Sequence, residues 1–149
     1  IFDTVALMQS SAVVFTVGKK LAWAGYYAGN DGGGNWGIVQ SGAHTDDGGS
    51  VFTLADGKYV AANLKGNEIS IMKFGAIDTT ISGTDDSHGS IQAAIDYAQP
   101  SMAKVYVPAG TFIVKDQISI YEGTILAGDW LTQGTTGSGK PANGSTLFH

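Results

Sequence analysis

Apolar positions along the chain follow three patterns, each predicting a different kind of element. In "SIQAAIDYAQP", Ile91, Ala94, Ile95 and Ala98 fall at i, i+3, i+4 and i+7, one apolar face of a helix over Ser90–Ala98. Asp86, Ser87 or Ser90 offers an N-cap oxygen, and Pro100 ends the helix by pushing its predecessor out of helical geometry. "FDTVALMQ" also has helical spacing, with Phe2, Val5, Ala6 and Gln9 behind Asp3 or Thr4, so a short helix is expected there.

The second pattern is a set of runs rich in β-branched and aromatic residues: "AVVFTVG", "KLAWAGYY", "WGIVQ" and "SVFTLADGKYVAANL". Glycine-rich punctuation divides them, and Asp46-Asp47-Gly48-Gly49 and Asp56-Gly57 are turn chemistry. Residues 1–67 therefore read as a helix followed by a small antiparallel β unit. Beyond Lys104 comes the third pattern, very short apolar bursts at Val105–Val107, Phe112–Val114, Ile118–Ile120 and Ile125–Leu126, then "STLFH". Pro108-Ala109-Gly110 and Glu122-Gly123 look like corners between them. Short strands bent at corners suit a parallel β-helix, in which the chain winds into stacked coils. The same spacing also fits a small β-sandwich. The expected fold class is mainly β, with residues 68–149 supplying a capping helix and the first coils.

Composition narrows the function classes. The chain has 149 residues, net charge -5 and no cysteine, which removes disulfides, thiolate metal sites and Cys nucleophiles. No basic stripe is present to meet phosphates, so nucleic acid is not an expected partner. No apolar run approaches the roughly 18–20 residues that a spanning helix needs, so no membrane partner is expected either. The chain opens on Ile1 inside what reads as an ordered segment, so a trimmed piece of something longer is expected.

Two glycine-rich stretches imitate nucleotide loops. Gly32, Gly34 and Gly37 have the G-x-G-x-x-G spacing, with Asp56 about twenty residues on, where a ribose-binding acid belongs. A pyrophosphate site needs a helix after those glycines, however, and "NWGIVQSG" has strand character. Gly134, Gly139 and Lys140 have Walker A spacing, but Pro141 replaces the Ser or Thr that would hold magnesium. Both stretches read as loops, and no cofactor is expected.

Several of these features occur together in a known family. Phe74-Gly75-Ala76, Asp85-Asp86, Ile91-Gln92-Ala93-Ala94-Ile95, Val105 to Phe112 and Leu126-Ala127-Gly128-Asp129 follow one another in that order. That order resembles the opening of pectate-lyase-like right-handed β-helix proteins. "FDTVALM", Gly25-Tyr26-Tyr27 before Asp31 to Gly34, and Asp46-Asp47-Gly48-Gly49 before "SVFTL" look like the N-terminal module of bacteriophage tailspike proteins. The resemblance implies a homotrimer in the virion, with residues 1–67 attaching it to the tail or baseplate or to another tailspike, and residues 68–149 beginning the β-helix. The β-helix beyond this chain would bind and cleave host surface polysaccharide. The alternative is the N-terminal fragment of a cellular polysaccharide lyase or glycoside hydrolase. A free carbohydrate-binding module is a third reading.

Polysaccharide hydrolysis needs two carboxylates at a set separation, and a lyase needs a base. Asp78, Asp85, Asp86, Asp96, Asp116, Glu122 and Asp129 are the candidate acids, and Asp85-Asp86 beside His88 is the densest group. Helix capping and loop solvation account for that group, and His44 and His149 have no partner in sequence. In the resembled family the catalytic groups lie on later coils, so no catalytic, metal or cofactor residue is expected here. Tyr26, Tyr27 and Trp36 flank the glycine loop and serve either as core rings or as a virion or trimer interface.

Overall fold

The computed structural model describes residues 1–79, 85–129 and the backbone of 145–148. The chain divides into two compact units, one of residues 1–66 with 72–75 and the other of residues 67–71 with 76–149.

The first unit is a five-stranded sheet in the order β1-β2-β3-β5-β4. Its strands are β1 (Phe2–Thr4), β2 (Lys20–Gly25), β3 (Asn35–Gln40), β4 (Val51–Thr53) and β5 (Tyr59–Ala62). β2, β3, β5 and β4 pair antiparallel, as the runs predict, whereas β1 lies parallel to β2, with Phe2 opposite Trp23. The expected helix over residues 2–9 is thus shorter, because its first turn is taken by that strand pairing. Helix α1 covers Val5–Gln9, and Thr4 Oγ1 caps it by accepting from Leu7 N at 3.2 Å. "AVVFTVG" is a second correction, since residues 12–18 form no strand. Phe15 N donates instead to the Asp56 carboxylate at 3.0 Å, and Gly18 N at the end of the run meets Val39 O of β3 at 2.8 Å without extending into a ladder.

Alternation decides which sheet face is buried. Leu21, Trp23, Val39, Phe52 and Val60 point inward and close over Val5 and Met8 of α1 to form the core. The Trp23 and Phe52 rings meet edge to face at 5.3 Å, and Trp23 Nε1 donates to Gly33 O, so the buried indole N–H is satisfied.

The second unit contains β6 (Glu68–Ser70), α2 (His88–Ala98), β7 (Lys104–Val107), β8 (Gly110–Ile113), β9 (Ile125–Gly128) and β10 (Ser145–Phe148). β6, β7 and β9 stack in parallel, aligning Ile69 with Val105 and Val105 with Leu126. β8 and β10 form a second parallel stack, with Phe112 opposite Leu147. The chain therefore visits the two stacks in turn, β7 then β8, and β9 then β10. Parallel pairing excludes the sandwich, whose neighbouring strands run antiparallel. "QISIYEG" is the third correction: residues 117–123 belong to no strand.

Helix α2 extends two residues beyond the expected start, and Ile91, Ala94, Ile95 and Ala98 are its buried face. Ser87 holds the N-cap position, but its side chain makes no cap bond. Its hydroxyl accepts from Ile77 N at 2.9 Å and donates to Ile77 O at 3.2 Å. Asp86 caps instead, accepting from His88 N at 3.0 Å.

Candidate functional site

The glycine loop in the first unit is built on Asp31. Its Oδ1 accepts from Tyr26 N (2.9 Å) and Gly33 N (2.8 Å), and its Oδ2 accepts from Tyr27 N (2.7 Å) and Ala28 N (3.0 Å). Burial pushes this carboxyl upward, but the N–H donors of Ala28, Gly33, Tyr27 and Tyr26 outweigh it and hold the group below its ordinary range. No anion can take those N–H groups, because the protein's own carboxylate already does. Gly32 sits at φ +90°, and a Cβ on Gly34 would come within 2.5 Å of Ala24 O. A Cβ on Gly37 would lie 2.4 Å from Ala61 O. The G-x-G-x-x-G spacing therefore records a tight loop and close strand approach, with β3 following it rather than a helix. Asp56, the imitation ribose ligand, binds Lys58 Nζ at 2.8 Å along with Lys58 N and Phe15 N. The Lys58 ammonium, aided by those two N–H groups, lowers the Asp56 carboxyl to about 2.

Tyr26 and Tyr27 are brought together with ring centroids 4.8 Å apart. Tyr26 OH donates to Gly48 O at 2.8 Å, and its ring meets Phe52 at the core. Burial, with Tyr27, Asp46 and Asp47 adding negative charge, pushes the Tyr26 hydroxyl up to about 12. Tyr27 is 57% exposed, although its OH donates to Gly75 O. Trp36 belongs to another surface. It pairs with Ala22 on the sheet face away from the core, with Lys20 Nζ 4.0 Å above its ring. His44 stacks on Tyr59 at 4.6 Å and reaches Gly42 O and Thr53 Oγ1, a setting that sequence spacing does not reveal.

In the second unit Asp78, Asp86, Asp116 and Asp129 serve the backbone. Asp86 Oδ1 accepts from His88 N and from Lys115 N (3.1 Å), and those two N–H groups hold its carboxyl below the ordinary range. Asp78 Oδ1 accepts from Thr111 N at 3.1 Å, and Asp116 Oδ1 from Gln117 N at 2.7 Å. Asp96 Oδ1 accepts from Gln92 Nε2 and Tyr121 OH. Asp129 accepts from Tyr106 OH and Ala109 N, and that carboxylate pushes the Tyr106 hydroxyl up to about 12. Asp85 and Glu122 are exposed. Among the described residues no three His, Asp or Glu side chains gather to hold a metal, and no helix is long and apolar enough to cross a membrane. His149 and the Gly134–Lys140 loop lie outside the described residues.

The family model for rhamnogalacturonase A/epimerase, pectate lyase-like proteins matches residues 69–148, more than half the chain. The chain belongs to that pectate-lyase-like family. Comparison with curated proteins gives no match. Among solved structures it is similar to WceF of Pantoea stewartii, a glycan biofilm modifying enzyme with a bacteriophage tailspike-like parallel β-helix fold. That match has 28% identity and a TM-score of 0.63, over 76% of this chain and 16% of WceF. It is also similar to the tailspike gp49 of Acinetobacter baumannii bacteriophage Fri1, a capsular polysaccharide depolymerase, at 18% identity and a TM-score of 0.67. That likeness covers 92% of this chain and 24% of gp49. The gp42 tailspike of Acinetobacter phage vb_AbaP_AS12 matches at 22% identity and a TM-score of 0.65, over 84% of this chain and 20% of its own. The pectate-lyase-like chain thus spans about a quarter or less of each structure, and the phage likenesses speak to fold.

Proposed function

We propose that this chain is the N-terminal part of a phage tailspike, in which residues 1–67 anchor a right-handed, trimeric β-helix to the virion tail. In this reading residues 68–149 are the lid helix and first coils, and the later coils bind and depolymerise host surface polysaccharide as a hydrolase or lyase. Tyr27 and Trp36 present rings to a virion or trimer partner, and Tyr26 props Tyr27. The reading is carried by the 92% coverage of this chain in its likeness to the Fri1 tailspike, which extends over the first unit beyond the family-matched residues. In this reading the acids above do structural work and catalysis belongs to the later coils.

A second reading has its own support. The 28% identity with WceF exceeds that with either phage tailspike and favours the N-terminal fragment of a bacterial polysaccharide-modifying enzyme. Fractionation separates the two. An antibody against this chain should find the full-length protein in purified phage particles. Finding it only in the secreted fraction of a bacterial culture overturns the tailspike reading. Anchoring through the rings is tested with Trp36→Ala and Tyr27→Ala, each expected to fold and to weaken binding to particles. Unchanged binding by both variants removes the rings from the anchor.

A further inference from the structure

The segment after β8 does not join a sheet, yet its polar backbone groups are not abandoned to solvent. Residues Lys115, Gln117, Ser119 and Tyr121 each meet a side chain at or on helix α2. Asp86 Oδ1 accepts from Lys115 N at 3.1 Å, and His88 Nε2 lies 2.9 Å from Gln117 O and donates to it. Gln92 takes both sides of Ser119: its Oε1 accepts from Ser119 N at 2.8 Å, and its Nε2 donates to Ser119 O at 3.2 Å. Asp96 Oδ1 accepts from Tyr121 OH at 2.9 Å.

The spacing has a geometric cause. His88, Gln92 and Asp96 are four residues apart, about 6 Å of rise along a helix. Alternate residues of an extended chain are separated by about 6.6 Å. Three helix side chains can therefore serve three alternate positions of an extended strap with little strain. Gln92 is the central tooth and mimics a strand's paired donor and acceptor.

Little apolar burial reinforces the attachment. Lys115, Gln117 and Ser119 are exposed, Ile120 is 61% and Tyr121 42% exposed, and only Ile118 is half-buried. The preceding rungs differ: Val105 is fully buried in β7, as is Phe112 in β8, whereas Ile125 and Leu126 of β9 stand 52% and 37% exposed. An element held by exposed hydrogen bonds opens more readily than one held by packing.

We propose that residues 115–121 are a strap clasped to the lid helix by His88, Gln92 and Asp96, and that it opens as a local unit while α2 and the preceding rungs, β7 and β8, stay folded. The strap connects β8 to β9, so the clasp sets the register at which the chain returns to its next rung. Its opening is the motion by which β9 can be released without unfolding β7 or α2.

Hydrogen exchange on the full 149-residue chain tests this. In the wild type, Ser119 N–H should exchange faster than Val105 N–H. Gln92→Ala should raise Ser119 exchange about tenfold or more and leave Ile95 and Val105 amides unchanged. Gln92→Glu keeps an acceptor for Ser119 N but loses the donor to Ser119 O, so its Ser119 exchange should fall between the two. Limited trypsin cleavage after Lys115 should accelerate in the same order. The proposal is overturned if Ser119 is as protected as Val105 in the wild type. It is also overturned if Gln92→Ala leaves Ser119 unchanged or raises strap and helix amides in equal proportion. Should Gln92→Ala fail to fold, the wild-type comparison and Gln92→Glu still decide the matter.

Discussion

Asp31 shows how one side chain can determine a loop. Four backbone N–H groups converge on its two oxygens, and each would lose its partner in Asp31→Ala. Unsatisfied donors at a half-buried site are costly, so this variant should lose about 1–3 kcal/mol of stability by denaturant unfolding. Asp31→Asn keeps one acceptor oxygen and should lose less. The pH dependence has a definite sign. The folded carboxyl lies below its ordinary value of 3.8, so its contribution is complete above pH 3.8 and disappears as pH falls through the lowered value. Tyr26 acts at the other end of the scale. Its hydroxyl is raised from 10.0 to about 12, so its contribution is complete below pH 10.0 and is lost as pH rises toward 12. Ultraviolet titration should show Tyr26 and Tyr106 ionising well after the exposed tyrosines, and Tyr26→Phe should remove its share of that late step while leaving that of Tyr106.

Among the elements, α2 was the most legible in the sequence, because a buried helix face advertises itself through spacing alone. Ile91, Ala94, Ile95 and Ala98 are all at most 1% exposed, as the i, i+3, i+4, i+7 pattern requires. Ile95→Ala should therefore cost about 2–5 kcal/mol, whereas Tyr97→Ala, 38% exposed on the same helix, should stay within about 0.5 kcal/mol. Thermal melts of the two variants check the contrast. Strands were harder to read, because a strand needs a partner that local composition does not name. "AVVFTV" has all the β-branched character of a strand, but Val13 and Val14 stand 57% and 75% exposed with no neighbouring strand. "QISIY" is the subtler case. Its alternation of polar and apolar residues is real and its chain is paired, but the partner is a row of helix side chains. Nothing within the segment could have shown that, because Gln92 lies 27 residues away from Ser119. The candidate acids followed the same logic. Capping was the reading the sequence favoured for Asp86, whereas the backbone partner of Asp78, Thr111 N, lies 33 residues away and needed the structure.

At the scale of the whole molecule, the proposed trimer makes a claim that no single element can test. Closed cyclic assemblies bury the same patch on every copy, so folding and association become linked through concentration. A chain of 15.4 kDa that forms a trimer should scatter light as three copies at micromolar concentration. Its melting temperature should also rise as concentration rises, because mass action favours the state that holds three chains together. A monomer would give one-chain scattering and a melting temperature independent of concentration. Measuring both quantities separates a weak trimer, which dissociates on dilution, from a chain that never associates. The second outcome would remove self-association from the proposed anchor while leaving the parallel stacking of β6, β7 and β9 intact, since each unit's core is built from side chains of its own chain.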